Sequence, residues 1–172
     1  ITQIPGVNYA NGSFAIGVEA TAEGAIHSLA IGRSAIASNN GSVAIGFEST
    51  AQNQGTAIGY TSSASNIQSV AIGSNSTASG SKDISIGAES QSTGVKAAAV
   101  GYGANASANN SSAIGPDAKA SANNSVAVGP RAIAGVQGTA SETSETGVTD
   151  IKSGAELLSE SYAFGQNSIA IG

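Results

Sequence analysis

The residues of this chain that could carry out chemistry are few. His27 is the only histidine and there is no cysteine, so a nucleophile activated by an imidazole would depend on His27 alone. A metal site built from histidine or thiolate ligands cannot form within one chain. We interpret His27, together with nearby Glu23, as a solvated surface residue. The sequence therefore predicts a protein that is not an enzyme and that has no cofactor and no bound metal.

A second candidate set is acidic. Glu142, Glu145 and Asp150 lie close together in the sequence and could line a cation site. Their spacing lacks the Asp-x-Asp-x-Asp-Gly pattern of a calcium-binding loop, so we interpret the segment as a solvated loop. Because loops often carry binding residues, the same three side chains are our candidate ligand contacts.

The composition limits the kinds of partner that the chain can have. The net charge is −5 and the acidic residues are concentrated late in the sequence, which argues against nucleic acid as a partner. No apolar run is long enough to cross a bilayer. Only 4% of the 172 residues are aromatic, so one copy can have only a thin core. We therefore expect the chain to associate with further copies of itself.

An apolar-Ala-Ile-Gly tetrapeptide recurs along the whole chain. Its glycines are separated by 15, 14, 13, 14, 14, 14, 14, 14 and 43 residues. A period this short does not fit a domain with one closed core, and it predicts a solenoid in which each coil packs only on its neighbours. The copies begin at Phe14, Leu29, Val43, Thr56, Val70, Ile84, Ala98, Ser112, Val126 and Ile169.

Each copy up to Val126 is followed by a pair of small residues two positions apart, a spacing that places both on one face of a β-strand. Every repeat unit then holds two short strands, with turns supplied by residues such as Gly46 and the Asn39-Asn40-Gly41 cluster. Stacking of the units predicts two parallel sheets along the solenoid axis. The small pairs are Ala20/Ala22, Ala35/Ala37, Ser49/Ala51, Ser62/Ala64, Ser76/Ala78, Ser90/Ser92, Ala104/Ala106, Ala118/Ala120 and Ala132/Ala134.

The tetrapeptide strand has two faces, one directed into the coil and one directed outward. The residues on the outward face are the ones that can contact another chain. We place the bulky residues, such as Val43 and Ile45, inside the coil opposite the small pairs. The alanines of the tetrapeptides then form an outward column that allows close approach of an identical column. This assignment predicts an interface between chains made by Ala15, Ala30, Ala44, Ala57, Ala71, Ala113, Ala127 and Ala170.

The long gap before the last glycine is interpreted from the regular spacing between each small pair and the tetrapeptides on either side of it. Ser161 and Ala163 form a regular small pair ahead of Ile169, and a tetrapeptide strand is expected at Ala155-Glu156-Leu157. The gap then contains two coils of about 14 residues and an insertion of about 15 residues within about 136–152. The whole of residues 1–172 is predicted to be a single solenoid, and it has the appearance of a fragment of a longer one.

Two segments carry a resemblance to a known family. Asn124 to Gly129 reads Asn-Ser-Val-Ala-Val-Gly and Asn167 to Gly172 reads Asn-Ser-Ile-Ala-Ile-Gly. Together with the small pairs that follow the copies up to Val126, these motifs resemble the head repeat of YadA-like trimeric autotransporter adhesins. The resemblance covers residues 12–134 and 155–172, with ten copies in nearly constant phase.

The resemblance implies a left-handed parallel β-roll in a homotrimer. Together with the predicted alanine interface, this leads us to expect the tetrapeptide strands to be directed toward the three-fold axis. The resemblance also implies a place on the bacterial cell surface at the outer membrane, through an anchor and a stalk that this fragment does not contain. The implied partners are host extracellular matrix proteins such as collagen, fibronectin and laminin, or receptors on host cells.

Three alternatives come from other classes of protein. The head could be a structural spacer of a longer surface fibre. A hexapeptide-repeat enzyme is also a parallel β-helix, but its coil holds three hexapeptides, and both this different period and the single histidine here argue against it. An ice-binding solenoid needs a regular outward threonine array, whereas the outward position of the small strand reads Thr21, Ile36, Thr50, Ser63, Thr77, Gln91, Asn105, Lys119, Ile133 and Tyr162.

Overall fold

The computed structural model describes residues 7–10, 12–23, 26–136, 162–164 and 166–171. These residues form 21 short strands and contain no helix, and so none that could cross a membrane. The strands are β1 (Val7–Ala10), β2 (Ser13–Ile16), β3 (Thr21–Glu23), β4 (Leu29–Ile31), β5 (Ile36–Ser38), β6 (Val43–Ile45), β7 (Thr50–Gln52), β8 (Thr56–Ile58), β9 (Ser63–Ala64), β10 (Val70–Ile72), β11 (Thr77–Ala78), β12 (Ile84–Ile86), β13 (Gln91–Ser92), β14 (Ala98–Val100), β15 (Asn105–Ala106), β16 (Ser112–Ile114), β17 (Lys119–Ala120), β18 (Val126–Val128), β19 (Ile133–Val136), β20 (Tyr162–Phe164) and β21 (Ile169–Ile171).

The strands form two sheets that run along the solenoid. The first sheet contains β1 and all the tetrapeptide strands in the order β1-β2-β4-β6-β8-β10-β12-β14-β16-β18-β21, and the second contains the small strands from β3 to β20. Equivalent residues of successive repeats pair in parallel, as Val70 does with Ile84. The predicted all-β parallel solenoid, with its short and nearly constant repeat, is therefore confirmed.

Among the described residues, the interior of the coil is made almost entirely of small side chains, and Asp83 is the largest side chain that is fully buried. Each small pair points inward, as predicted, and both Ser49 and Ala51 are fully buried. Seven of the ten tetrapeptides are preceded by a serine, and these serines are also buried. In several coils the hydroxyl satisfies the adjoining turn, as Ser69 Oγ does by donating to the Asn66 carbonyl at 2.7 Å.

The predicted assignment of the tetrapeptide faces is wrong. Val43 and Ile45 point outward and are partly exposed, whereas the alanine between them is buried. Strand alternation places the inward serine and the alanine two residues later on one face. Small residues of this kind fill most of the space between the two sheets. The tetrapeptide alanines predicted to face outward are instead 0–2% exposed: Ala15, Ala30, Ala44, Ala57, Ala71, Ala113, Ala127 and Ala170.

The glycine that ends each tetrapeptide allows the coils to stack at the turn. Gly46 has φ +137°, and a Cβ added there would lie 2.2 Å from the carbonyl oxygen of Gly59 in the next coil. Two residues later the chain is left-handed, with φ 52° at Glu48. This conformation lets the Glu48 N–H donate to the Arg33 carbonyl at 2.9 Å, so backbone hydrogen bonds continue around the turn.

An antiparallel strand was not anticipated. β1 pairs with β2 in a hairpin in which Ala10 lies opposite Ser13, and this pairing covers one edge of the first sheet. The Asn11-Gly12 dipeptide between the two strands is the sequence signal that identifies such a tight hairpin.

The last coil departs from the expected stacking. β20 pairs with β19, so that Ala163 lies in register with Ala134. This is the pairing expected if Ser161 and Ala163 form a regular small pair. β21, however, pairs directly with β18, and Ile169 lies opposite Val126. The expectation that a tetrapeptide strand at Ala155-Glu156-Leu157 separates them is therefore wrong for this sheet. Those residues and most of the predicted insertion at 136–152 lie outside the described residues.

Candidate binding surfaces

The residues first considered for chemistry are not brought together. His27 lies in an exposed turn with φ 62°, where the sequence places it. Within the part of the chain that the structure describes, no group of three or more His, Asp or Glu side chains could hold a metal ion. The candidate ligand contacts Glu142, Glu145 and Asp150 lie outside the described residues.

The outer face of the first sheet is mostly apolar, with Thr56 and Ser112 as the polar residues among its outward positions. The predicted interface alanines are buried within their own coil, and the outward residues of the same strands form the exposed surface of this sheet. Ile84 and Ile114 are 41% and 43% exposed. Each tetrapeptide strand contributes its first and third residues to this surface, which we call the apolar columns: Phe14, Leu29, Val43, Thr56, Val70, Ile84, Ala98, Ser112, Val126 and Ile169, with Ile16, Ile31, Ile45, Ile58, Ile72, Ile86, Val100, Ile114, Val128 and Ile171.

The outer face of the second sheet is mostly polar. The residue between each small pair points outward, as predicted, and includes Thr50, Thr77, Gln91, Asn105 and Lys119. Hydroxyl and amide groups therefore dominate this face, in contrast to the apolar face of the first sheet.

Two shallow depressions lie along the turns. One has a volume of about 350 Å³ and lies beside Gly103, which has no side chain where the two preceding coils have Asn75 and Glu89. It is lined by Asn75, Glu89, Gln91, Gly103, Asn105 and Lys119. The other, of about 340 Å³, is lined by Asn39, Asn40, Asn53, Gln54 and Ile67. Amide side chains bridge successive coils here, as Asn39 Nδ2 does by donating to Asn53 Oδ1 at 2.9 Å.

The residue after each repeat glycine forms a further column, which we call the first-turn column. Its members include a stacked group: the rings of Phe47 and Tyr60 are 5.1 Å apart at 9°, and the Arg33 guanidinium lies 4.3 Å from the Phe47 centroid. Periodicity alone did not reveal this stack, although the aligned repeats place the three residues in consecutive rows. The column is Val18, Arg33, Phe47, Tyr60, Ser74, Ala88, Tyr102, Pro116 and Pro130.

One coil has a polar interior, which we call the polar coil. Asp83, Ser85, Ser90 and Ser92 are all fully buried, and they separate an alanine cluster that ends at Ala78 from one that begins at Ala97. Ser85 Oγ lies 2.8 Å from Ser90 Oγ. Ser92 Oγ has no well-formed hydrogen bond to any of the described residues.

Asp83 connects the polar coil to its neighbour. Asp83 Oδ2 accepts from the Gly80 N–H at 2.7 Å, and Oδ1 accepts from the Ala97 N–H of the next coil at 2.9 Å. Burial raises the pKa of Asp83, and these two hydrogen bonds and the nearby Ser92 hydroxyl oppose the rise. With one carboxylate and three hydroxyls enclosed in the coil, the arrangement is suited to a structural role and not to turnover of a substrate.

The protein-family model described as the YadA head domain repeat matches residues 25–49, 53–76, 64–90, 78–104, 92–118, 106–132 and 159–172, which together cover more than half of the chain. The chain belongs to the YadA head domain repeat family. No curated protein gives a significant match.

Membership of the YadA head family indicates the kind of protein to which the apolar and polar surfaces belong. YadA heads are structural adhesin domains and not enzymes. The trimeric autotransporter adhesins that carry them are outer-membrane proteins of the cell surface. The chain is therefore an adhesin-type surface head domain.

Proposed function

We propose that this YadA head forms a homotrimer through the apolar columns and attaches a bacterium to host extracellular matrix proteins or to host-cell receptors. Collagen, fibronectin and laminin are the matrix proteins of first choice. The chain is held at the outer membrane through other parts of the adhesin. The mostly apolar outer face of the first sheet is the observation that carries the proposal.

The length of that face supports assembly. Ten tetrapeptide strands spaced about 4.8 Å apart extend the apolar columns over about 43 Å. An exposed apolar stripe of this kind on a surface protein marks an interaction site. Because the tetrapeptide strands carry the stripe, they are directed toward the three-fold axis, with valine and isoleucine in place of the alanines first expected.

The polar outer face of the second sheet remains available to host ligands in such a trimer. Three parallel chains present each surface feature three times, and valency can multiply a weak contact by about 10²–10⁴. The acidic segment with Glu142, Glu145 and Asp150 is a second proposed contact region, which would favour a basic partner.

Assembly is tested by the mass in solution from light scattering. The head should have the mass of three chains. The triple variant Ile45→Glu, Ile72→Glu and Val128→Glu should have the mass of one chain, because it would otherwise bury carboxylates without partners. The control variant Thr50→Glu and Thr77→Glu, on the second sheet, should stay trimeric. A trimer that survives the isoleucine and valine changes contradicts the assignment of the interface.

Adhesion is tested with the same proteins on surfaces coated with collagen, fibronectin or laminin. The trimer should bind at least one of them, and the dissociated variant should bind at least about 100-fold more weakly. Deletion of residues 138–150 should weaken binding if the acidic segment is a contact and should leave the trimer intact. An intact trimer that binds no matrix protein and no host cell supports the alternative of a structural spacer in a longer surface fibre.

A further inference from the structure

The ring of Tyr60 has one covered face and one open face. Phe47 covers the first, since the two rings are nearly parallel and their centroids lie 5.1 Å apart, close to the spacing of the coils. On the other side the Asn75 N–H donates to the Tyr60 carbonyl at 2.8 Å, which places Ser74 in the next row of the first-turn column. The side chain of Ser74 is too short to cover a ring, and Tyr60 is 55% exposed.

The open space continues to a second tyrosine. The next rows hold Ala88 and then Tyr102, as the Glu89 N–H bond to the Ser74 carbonyl and the Gly103 N–H bond to the Ala88 carbonyl establish. Three row spacings put the two tyrosines about 14 Å apart. We call the space between Tyr60 and Tyr102, above Ser74 and Ala88, the tyrosine slot.

The side of the tyrosine slot carries hydrogen-bond acceptors. Asn75 and Glu89 follow its two small residues and are exposed. Asn75 Oδ1 accepts from the Thr61 hydroxyl. The Glu89 carboxylate accepts a hydrogen bond from the Tyr102 hydroxyl and raises the pKa of Tyr102, and the charge of Asp117 adds to that rise. Lys119 is the cation that shares the adjoining depression with Glu89.

We propose that the tyrosine slot binds the guanidinium group of an arginine side chain in the host protein to which the head attaches. The planar cation stacks on the open face of Tyr60 and donates to the Glu89 carboxylate and to Asn75. This inference rests on the proposed adhesive function and names the chemistry of the partner at one site on the head.

The chain itself contains the same kind of contact at the other end of the stack. The Arg33 guanidinium covers the free face of Phe47 at 4.3 Å, and Glu48 follows Phe47 in the sequence. At the Tyr60 end the corresponding row holds Ser74, so the cation must come from outside. Lysine is less suited, because its ammonium is compact and strongly hydrated, whereas guanidinium is planar and stacks on rings.

The test uses the whole head and short peptides. Acetyl-Gly-Arg-Gly-amide is titrated against the head and binding is followed through the tyrosine ring signals in NMR spectra, with the Tyr60 signal assigned by its loss in Tyr60→Leu. Matched probes replace arginine with lysine or with citrulline, which has nearly the same shape and no charge. The arginine peptide should bind about threefold to tenfold more tightly than the citrulline peptide and should shift the Tyr60 signal.

Two variants change the slot in different ways. Ser74→Phe extends the stack and covers Tyr60, and Glu89→Gln removes the charge with little change of shape. Each variant should weaken binding of the arginine peptide by at least about threefold. Glu19→Gln makes the same chemical change at the far end of the turns, where Glu19 accepts from Ser34, and should leave binding unchanged. If Ser74→Phe does not fold, Glu89→Gln and Tyr60→Leu still decide the matter.

The results of the peptide experiment can be distinguished from those of the matrix-adhesion experiment. Equal binding of the arginine and citrulline peptides, or of the arginine and lysine peptides, overturns the proposal. So does full binding to a folded Ser74→Phe or Glu89→Gln head. A head that fails to bind matrix proteins but binds the arginine peptide at Tyr60 contradicts the proposed matrix adhesion and leaves the arginine site standing.

Discussion

At the scale of single residues, Asp83 performs two tasks that serine performs elsewhere in the solenoid. At the same position in their coils, Ser69 Oγ accepts from the Asn66 N–H three residues earlier, and Ser13 Oγ accepts from the Ser28 N–H of the next coil. Asp83 does both, since it accepts from the N–H three residues earlier and from the N–H of Ala97 in the next coil. Since Ala97 has no hydroxyl, Asp83 takes the place of polar groups in two coils.

The buried carboxylate predicts a particular dependence of stability on pH. Burial raises the pKa of Asp83 above its value in the unfolded chain, so the folded head binds this proton more tightly than the unfolded chain does. The contribution of Asp83 to stability is then present below the unfolded pKa and is lost as pH rises through the raised folded pKa.

Comparison with Asp83→Ser isolates this effect, because the other carboxylates are common to both proteins. The free energy of unfolding of Asp83→Ser relative to that of the original head should rise between about pH 4 and pH 7. Denaturant titrations at several pH values measure the difference. A difference that stays constant with pH, or that falls as pH rises, would contradict this account of Asp83.

The buried hydroxyl of Ser92 gives a second prediction at this scale. Ser92→Ala should stabilise the head by about 1 kcal/mol, because a buried hydroxyl without a well-formed hydrogen bond costs free energy. Alanine already fills this position in other coils, as Ala78 and Ala106 do. The matched control is Ser62→Ala, which removes a hydroxyl that donates to the Gly59 carbonyl at 3.1 Å. That change should be neutral or destabilising by thermal or denaturant unfolding, and stabilisation by both changes would sink the explanation.

At the scale of the strand, the direction of each side chain decides which substitutions a coil tolerates. Ala71 is fully buried between the sheets, whereas Thr77 points outward from the second sheet of the same coil. Ala71→Leu forces a large side chain into a space built for a methyl group and should destabilise the head by about 1–3 kcal/mol or more. Thr77→Leu should change stability by less than about 0.5 kcal/mol. Denaturant titration of both variants measures the two changes.

The same reasoning changes what glutamate in place of the alanines would do. Glutamate at Ala44, Ala71 and Ala127 should prevent the coils from folding, since the charge would lie inside one chain. Far-ultraviolet circular dichroism distinguishes this loss of structure from the folded single chains expected of the Ile45, Ile72 and Val128 variant. Folded single chains from the alanine variant would contradict the inward direction of these residues.

At the scale of the whole molecule, stability is local because each coil packs only on its neighbours. The polar coil interrupts the alanine core between Ala78 and Ala97, so β12 and β13 have the least apolar support. We expect the amides of Ile84–Ile86 to exchange with solvent faster than those of Val70–Ile72.

Hydrogen exchange measured by mass spectrometry or NMR tests whether β12 and β13 are less protected than the neighbouring strands. The combined variant Asp83→Ser, Ser85→Ala and Ser92→Ala restores the residues found at these positions in neighbouring coils and should slow exchange in β12 and β13. Equal protection of β10 and β12 in the original head would mean that the polar interior does not divide the solenoid.

Much of the fold follows from the sequence alone. The constant repeat period determines which residues pair across coils, as Val70 pairs with Ile84, because parallel stacking places equivalent positions side by side. The spacing of two within each small pair correctly predicts that Ser49 and Ala51 share the inner face. The single histidine and the lack of cysteine led us to predict binding or structure in place of catalysis, and the family to which the chain belongs is a structural adhesin family.

The tertiary structure decided what periodicity leaves open. Alternation shows that Val43 and Ala44 face opposite ways, but only the narrow distance between the sheets sends the alanine inward and the valine outward. The stack of Arg33, Phe47 and Tyr60 depends on side-chain directions at the turns, and the pairing of β18 with β21 depends on contacts between strands far apart in the sequence. A repeating sequence determines the order in which its units stack. The depth of the space that they enclose is a property of the two sheets together, and that depth determines which residues remain exposed for a partner.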